Sequence, residues 1–260
     1  MLLDALAKGA NEIIIGLGGS GTNDGGFGLL YALGTKFYDE NRNELPLSMD
    51  SILKIESIDL SEALSKLKHC KIVVASDVDN VYTGKQGATY VFGKQKGANN
   101  NQLDYLESCL CHLQEIIIRQ YNVDLSQIEK TGSAGGLGGA FYLLGAKMMS
   151  GIEMVLNVTD FENKIKGADF IFTGEGSIDE QTINGKTISG ISKLGKKYNI
   201  PVIAFAGRVA KGAQNLYDYG VTAMFSITNE AKSLEQALLD GTESLTLTVE
   251  NVFKLIKESS

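Results

Sequence analysis

Short apolar runs alternate with amphipathic stretches along most of the chain. Runs that end abruptly in glycine or polar residues are typical of buried strands, and they lie at 12–17, 71–76, 170–172, 201–207 and 223–227. Helical periodicity lies between them at 101–120, about 184–198 and 233–256, the last opened by Ser233 with Gln236 in capping-box spacing. Strands that alternate with helices predict an α/β fold with a mostly parallel sheet and helices on its faces.

The regularity of this alternation predicts two lobes. From Asp169 onward, strand, loop and helix recur at regular spacing, which is typical of a doubly wound, Rossmann-like sheet. Residues 35–160 are less regular and include polar stretches such as YDENRNELPLSMD. We therefore predict a discontinuous Rossmann-like lobe from 1–34 and 161–260, with 35–160 inserted as a second α/β lobe. Because the chain opens with a pattern typical of a helix end entering a strand, the first lobe is expected to lack its N-terminal strand.

Charge and hydropathy argue against two classes of binding partner, nucleic acids and membranes. The net charge is -7, and the 24 basic and 31 acidic residues are interspersed, so no basic face is available for a nucleic-acid backbone. No apolar run reaches the roughly 18 to 20 residues that span a bilayer, and no signal-peptide pattern follows Met1. We expect a protein that binds neither nucleic acid nor membrane and that takes a small molecule as its partner.

The cysteines indicate a reducing compartment. Three cysteines without repeated spacing do not form a disulfide framework in a chain of this size, so a cytoplasmic location is predicted. Cys109, Cys111 and His112 lie close together, but they fall within an apolar helical pattern and no fourth ligand has matching spacing. We interpret them as part of a helix rather than as a zinc site.

Glycine is concentrated where apolar runs end, and the first such loop is GLGGSGTNDGG at 16–26. It follows a predicted strand, precedes a predicted helix and contains GxGxxG at Gly16, Gly18 and Gly21, which is the dinucleotide-binding pattern in its usual context. An NAD-linked oxidoreductase is therefore one hypothesis, and a simple tight turn is the structural alternative.

Two further glycine-rich loops follow predicted strands or precede predicted helices. The segment TGSAGGLGG at 131–139 leads into a helix, where free N–H groups and the helix dipole favour an anion, with close helix packing as the alternative. The segment TGEGSIDEQT at 173–182 ends in NGKT, but Glu180 stands where a phosphate-binding P-loop needs glycine. A Walker-type nucleotide triphosphatase is excluded on this ground.

Acidic residues lie beside these loops and after the strand at 71–76: Asp24, Asp77, Asp79, Glu175 and Asp179. In a parallel sheet, ligands bind outside the carboxyl ends of the strands, so these carboxylates are expected to converge on one cleft. ATP-bound Mg²⁺ takes one or two carboxylates, and a carboxylate can also position or deprotonate a hydroxyl. With Lys94, Lys96 and Lys186 to balance phosphate charge, the set is typical of a phosphoryl-transfer site.

Six motifs, in this order, resemble the bacterial type I glycerate kinase family: GLGGSGTNDGG, SDVDN, GATYVFGKQKGA, GSAGGLGGA, SGIEMVL and FTGEGSIDEQTINGKTISG. The resemblance covers nearly the whole chain, and the continuation of GxGxxG into TNDGG weakens the oxidoreductase hypothesis. It implies an ATP- and Mg²⁺-dependent kinase that forms 2-phosphoglycerate, or alternatively 3-phosphoglycerate, from D-glycerate. It also implies two α/β lobes with the active site in the cleft between them, and a homodimer is left open.

The same resemblance implies site residues, motif by motif. Those expected to bind substrate or nucleotide are Gly18, Gly19, Ser20, Asn23, Asn80, Gln95, Lys96, Gly135, Gly136, Gly174, Glu175, Gly176, Gln181 and Thr182. Those expected to act in catalysis are Asp24, Asp77, Asp179 and Lys186, with Asp77 and Glu175 as the magnesium ligands. Which of them contact ATP and which contact glycerate stays open.

The chain departs from the family pattern in three places. Asn80-Val81-Tyr82 stands where the family usually has NPL or similar, and Lys94 stands where it usually has proline. The family normally begins with a strand and a PDSFK-like loop that reaches the active site, and no such segment is present in these 260 residues. The alternative to an active kinase is therefore a shortened fragment that binds nucleotide or sugar acid without turnover.

Overall fold

Two structural units follow one another along the chain. The computed structural model describes residues 1–183 and 186–259, and the side chains of Gln181, Ile183, Lys186 and Ser259 lie outside the described part. The units are Met1–Gly151 and Ile152–Ser260. None of the helices in the described ranges combines the length and the apolar character that crossing a membrane requires.

The first unit contains short helices, one long helix and five strands. Its helices are α1 Leu2–Ala7, α2 Phe27–Ala32, α3 Met49–Ile52, α4 Ser61–Leu67, α5 Ala88–Phe92, α6 Asn100–Tyr121 and α7 Ser133–Leu143, with 3-10 helices at Lys94–Lys96 and Leu125–Gln127. Its strands are β1 Glu12–Gly16, β2 Lys36–Tyr38, β3 Ser57–Asp59, β4 Lys71–Ala75 and β5 Lys147–Met149.

Three of these strands form a parallel sheet in the order β1-β4-β5. The central strand β4 is buried from Ile72 to Ala75, as expected for an uninterrupted apolar run that is covered on both faces. The predicted strands at 12–17 and 71–76 are confirmed. The pattern did not predict β2, β3 and β5, because strands of three residues are too short to show a period.

The pairing of β1 differs from the predicted division into lobes. Residues 1–34 were expected to belong with 161–260, but β1 is hydrogen-bonded to β4, within Met1–Gly151. Local hydrophobic pattern identifies a strand without identifying its neighbour, so the partner of β1 could not be read from the sequence.

The long helix α6 forms the centre of the first core. It begins with a reciprocal capping box between Asn99 and Gln102 and ends at Asn122, which has a left-handed conformation. Its inward face buries Leu103, Leu110, Leu113, Ile116 and Ile117. At roughly 1.5–3 kcal/mol for each fully buried aliphatic side chain, this face is a large part of the stabilisation of the unit. The predicted helix at 101–120 is confirmed.

The second unit is a three-stranded parallel sheet in the order β6-β7-β8 with helices. Its strands are β6 Ile171–Ile178, β7 Val202–Val209 and β8 Val221–Ser226. Its helices are α8 Gly151–Val158, which begins at the boundary, α9 Phe161–Lys164, α10 Lys186–Tyr198, α11 Leu234–Leu239 and α12 Gly241–Ser259, with 3-10 helices at Glu180–Ile183 and Ala213–Tyr217. The α/β fold class with parallel sheets is confirmed.

Two predicted boundaries in this unit were wrong. The strand expected at 170–172 continues to Ile178, so Gly174, Glu175 and Gly176 lie in β6 and not in a loop, because Gly174, Glu175 and Ser177 pair with β7. The segment expected to form one helix at 233–256 forms two helices. The first, α11, ends at Leu239, and the second, α12, begins at Gly241. The predicted cap is confirmed, since the N–H of Gln236 donates to Ser233 Oγ at 3.2 Å.

Two glycine-rich turns in the first unit pack directly against each other. Ala134, Gly135 and Gly136 interrupt α7 with positive φ angles of 51°, 70° and 94°. A Cβ on Gly135 would lie 2.0 Å from the carbonyl oxygen of Thr22, and a Cβ on Gly136 would lie 2.5 Å from Cα of Gly25. The two backbones can therefore approach this closely only when both positions lack a side chain.

We expect Gly135→Ala to destabilise the protein far more than Gly145→Ala. Both glycines have positive φ, but a Cβ at Gly145 would meet nothing within 4 Å, so that variant shows only the backbone strain, about 1–2 kcal/mol. Gly135→Ala also displaces Thr22. Its free energy of unfolding should therefore fall by about 2 kcal/mol or more beyond the fall for Gly145→Ala. Urea unfolding measures both, and equal losses would contradict the interlocked turns.

Candidate functional site

The loop after β1 is organised by one carboxylate. Asp24 Oδ1 accepts hydrogen bonds from the Thr22 hydroxyl and the Gly26 N–H, both at 3.0 Å, and Oδ2 accepts one from the Gly28 N–H at 2.9 Å. These N–H groups belong to the first turn of α2, where a negative charge is favourable. Asp24, predicted as catalytic, therefore also caps a helix.

Tyr82 joins this loop to the second glycine turn. Its hydroxyl donates to the carbonyl of Gly25 at 2.7 Å, and the N–H of Gly25 donates to the carbonyl of Gly135 at 3.0 Å. Complete burial of the tyrosine raises its pKa, so the hydroxyl remains a proton donor. Sequence reasoning missed Tyr82, because one aromatic residue after SDVDN carries no signal of a contact with Gly25, which lies 57 positions away.

Lys96 reaches the same loop from the 3-10 helix Lys94–Lys96. Its ammonium group donates to Ser20 Oγ at 3.1 Å and to the Thr22 carbonyl at 2.6 Å, across 76 and 74 residues. Burial lowers the pKa of Lys96, and the nearby charge of Asp24 opposes that shift. A partly desolvated ammonium is thus held at the loop, where it interacts with anions more strongly than in water.

Two of the cavities that Lys96 lines contain residues of the loop after β1. The first, which we call the Asp24 cavity, has a volume of about 360 Å³ and is lined by Gly21, Thr22, Asn23, Asp24 and Lys96. The second, which we call the Ser20 cavity, has a volume of about 480 Å³ and is lined by Gly18, Gly19, Ser20, Val78, Gln95 and Lys96. The fold thereby brings together seven of the predicted residues: Gly18, Gly19, Ser20, Asn23, Asp24, Gln95 and Lys96.

Asn23, one of the residues that line the Asp24 cavity, carries an unsatisfied acceptor in the described part of the chain. Its amide nitrogen donates to Thr89 Oγ1 at 3.1 Å, while its Oδ1 is buried and has no hydrogen-bond partner among the described residues. A buried polar atom without a partner costs about 1–3 kcal/mol. A ligand hydroxyl that reached the amide oxygen would remove this cost by donating a hydrogen bond to it.

The predicted residues after β4 line neither cavity in the described part of the chain. Asp77 Oδ1 accepts from the N–H of Gly151 at 2.9 Å, at the start of α8, and Asn80 donates to the carbonyl of Gln86 at 2.8 Å. Val78, which lies between them, does line the Ser20 cavity. The structure thus supports a capping role for Asp77 and a turn-forming role for Asn80.

The buried Gly135 and Gly136 make the contacts expected for close packing. Their missing side chains admit Thr22 and Gly25, as described above. Of the two readings left open for the loop at 131–139, these contacts support packing rather than anion binding.

In the second unit, Glu175 lies beside Asp179. Burial raises the pKa of Glu175, the charge of Asp179 raises it further, and a hydrogen bond from the backbone of Ile188 lowers it. The N–H of Asp179 donates to the hydroxyl of buried Thr182 at 2.9 Å. The side chains of Gln181 and Lys186, also predicted here, lie outside the described residues.

A larger groove lies at the carboxyl ends of the strands in this unit. It has a volume of about 810 Å³, and its strand side is lined by Glu175, Gly176, Ser177, Gly207, Arg208 and Ser226. We call it the strand-end groove. Sequence reasoning named only Glu175 and Gly176 of these, yet the others lie at or shortly after the ends of predicted strands, where open parallel sheets bind ligands.

Comparison with known proteins finds a family match over the whole chain. Residues 1–257 match the model of the glycerate kinase family. A glycerate kinase of Bacillus cereus (strain ATCC 10987) is 42% identical over 261 residues, which is 100% of this chain and 68% of the relative. A glycerate 2-kinase of Escherichia coli (strain K12) is 40% identical over 238 residues, covering 91% of this chain and 62% of the relative.

The fold also matches a solved structure. A crystal structure of a protein provisionally named glycerate kinase 2, from Salmonella typhimurium LT2, superimposes with a TM-score of 0.79 at 39% identity, over 99% of this chain and 67% of that one. The chain thus spans about two thirds of the length of the relatives that it matches.

We expect Glu175→Gln to stabilise the protein at neutral pH and to have little effect in acid. The pKa of Glu175 is raised in the folded state, so the stability linked to its protonated form is present below pH 4.5 and is lost as the pH rises through the folded pKa. Glutamine keeps the shape without the charge, so the variant avoids that loss. Urea unfolding at pH 4.5 and pH 7.5 tests this, and a less stable variant at pH 7.5 would refute it.

Proposed function

The chain belongs to the glycerate kinase family, and we propose that it catalyses transfer of the γ-phosphoryl group of ATP to D-glycerate. The relative named glycerate 2-kinase, 40% identical, favours 2-phosphoglycerate over 3-phosphoglycerate as the product. Free thiols at Cys70, Cys109 and Cys111 suit a reducing, cytoplasmic setting for this reaction.

The observation that carries this proposal beyond the family match is the Asp24 cavity. It combines a partly desolvated ammonium from Lys96, an unsatisfied buried acceptor on Asn23 and a carboxylate on Asp24. A hydroxy acid presents the complementary groups, namely a carboxylate for the lysine and hydroxyls for the two acceptors. A volume of about 360 Å³ accommodates a three-carbon acid.

The proposed reaction forms one P–O bond and breaks another. The glycerate hydroxyl oxygen attacks the γ-phosphorus, the bond between that phosphorus and the β–γ bridging oxygen breaks, and ADP leaves. The hydroxyl proton passes to a carboxylate, for which Asp24 is the candidate in the cavity. Because phosphoryl transfer depends mostly on positioning and charge, Lys96 and Asn23 contribute by orienting the acid.

Magnesium, which the family implies, fits the chemistry of Glu175 and Asp179. Glu175 and Asp179 are neighbouring carboxylates, and the charge of Asp179 raises the pKa of Glu175, so the pair is suited to share the charge of a divalent cation. Bound there with the nucleotide, the ion would offset negative charge on the phosphates. These oxygen ligands are of the type that Mg²⁺ prefers.

The oxidoreductase hypothesis finds less support at the first loop. A dinucleotide pyrophosphate binds the free N–H groups at the start of the helix that follows GxGxxG. Here the Asp24 carboxylate already accepts from the N–H groups of Gly26 and Gly28. That negative charge would repel a pyrophosphate.

We expect Lys96→Met to lower kcat/KM for D-glycerate by about a hundredfold or more, with most of the effect in KM for the acid. Loss of a charge-assisted contact in a desolvated site accounts for this magnitude. Lys94→Met is the matched control, since Lys94 belongs to the same 3-10 helix, is exposed and does not line either cavity. It should change kcat/KM less than threefold.

The measurement is ADP release from Mg²⁺-ATP with D-glycerate, followed by identification of the phosphoglycerate formed. Equal losses of kcat/KM in the two lysine variants would contradict a contact between Lys96 and the substrate. If the chain releases no ADP but calorimetry detects glycerate or ATP binding, the alternative of a fragment that binds without turnover is correct.

A further inference from the structure

The strand-end groove of the second unit has no assigned ligand. We propose that it binds the nucleoside part of ATP, with the adenine base against helix α11 and the ribose against the hydroxyls at the strand ends. This inference rests on the proposed function, and it assigns the nucleotide to the second unit and leaves the small acid to the Asp24 cavity of the first.

The size of the groove supports a ligand larger than a three-carbon acid. Its volume of about 810 Å³ is more than twice the 360 Å³ of the Asp24 cavity. Sites for cofactor-sized molecules typically measure roughly 300–1,000 Å³. Its position at the carboxyl ends of β6, β7 and β8 is where open parallel sheets bind nucleotides.

One wall of the groove is apolar and exposed. Leu234 and Leu238 on α11 line it, with 77% and 73% of their surfaces accessible, together with Ala237. Leucine side chains this exposed contribute little to a core, and a flat base that covers them would remove apolar surface from water at about 25 cal/mol per Å². A small polar acid would gain nothing from such a wall.

This wall is braced at both ends of α11. Lys232 donates to Asp240 at 2.9 Å, so the residue before the N-cap is tied to the residue after the last turn. Gln236 donates to the same carboxylate at 2.8 Å. The helix is therefore held in place before any ligand arrives, which lowers the entropic cost of binding.

The strand side of the groove presents hydroxyls and bare backbone. The hydroxyls of Ser226 and Thr228 both donate to the carbonyl of Gly207, at 3.3 and 2.6 Å, which fixes the loop after β8. A Cβ on Gly176 would meet nothing within 4 Å, so a ligand can approach the backbone there. Hydroxyls and accessible backbone are suited to hydrogen bonds with ribose and with the base edge.

Two carboxylates pair with the lysine at the base end of the groove, so this end offers a phosphate no net positive charge. Lys232, which lines it, is paired with Glu230 at 3.1 Å and with Asp240 at 2.9 Å, and only 12% of its side chain is accessible. Arg208, at the end of β7, is exposed and lines the groove on the strand side. The phosphates are therefore expected toward Arg208 and Glu175, away from α11.

The test compares Leu238→Ser with Leu239→Ser. Both leucines lie on α11 and are equally exposed, at 73% and 74%, but only Leu238 lines the groove. Calorimetry with ADP in the presence of Mg²⁺ should show binding at least fivefold weaker for Leu238→Ser, and within twofold of the original protein for Leu239→Ser. Adenosine should compete with ADP, and inorganic pyrophosphate at the same concentration should compete less well.

Three results would overturn the inference: no ADP binding, equal ADP affinity in the two variants, or competition by pyrophosphate but not by adenosine. Turnover of ATP with D-glycerate separates this inference from the proposed function. If both variants phosphorylate glycerate with the same KM for ATP, the kinase assignment stands and the groove assignment fails. If ADP binds as expected but glycerate is not phosphorylated, the groove assignment stands and the kinase assignment fails.

Discussion

The contact between two glycine turns is the constraint on which the site of the first unit depends. Gly25 and Gly26, at the end of the loop after β1, lie against Gly135 and Gly136 in the break of α7, and no side chain separates the backbones. The hydroxyl of buried Tyr82 stabilises this contact by donating a hydrogen bond to the Gly25 carbonyl. The loop positions Ser20, Asn23 and Asp24, so their placement follows from a packing requirement and not from flexibility of the glycines.

Two acidic residues of the predicted site also stabilise the fold. Asp24 accepts backbone N–H groups at the start of α2, and Asp77 accepts one at the start of α8. An aspartate that holds a helix end is fixed in direction, which is what a group that orients a substrate also requires. Under the proposed function, a mutation at Asp24 is therefore expected to change stability and activity together.

The two units offer different chemistry to a ligand. The first unit has a partly desolvated ammonium, an amide oxygen without a partner among the described residues, and a carboxylate on residues that line about 360 Å³. The second offers about 810 Å³ with an apolar wall and hydroxyls. A kinase needs both kinds of site, because its acceptor is small and charged whereas its donor has a large, weakly polar base.

Hydrophobic pattern alone determined the long elements and the α/β class. The runs that became β1, β4, β7 and β8, and the periodicity that became α6, are local properties of 5 to 22 residues. The glycine-rich loops and their acidic residues were also visible, because turns and strand ends have their own composition. Motif order was sufficient to indicate the family.

Tertiary structure decided which of these parts meet. Nothing local in the sequence shows that β1 pairs with β4, that β6 continues through Gly174 and Gly176, or that Lys96 reaches Thr22 across 74 residues. Tyr82 contacts Gly25 across 57 residues, and Arg208 and Leu238 line the same groove although they are 30 positions apart. The physical reason is that pattern reports the burial and conformation of a segment, whereas pairing and close packing are properties of two segments at once.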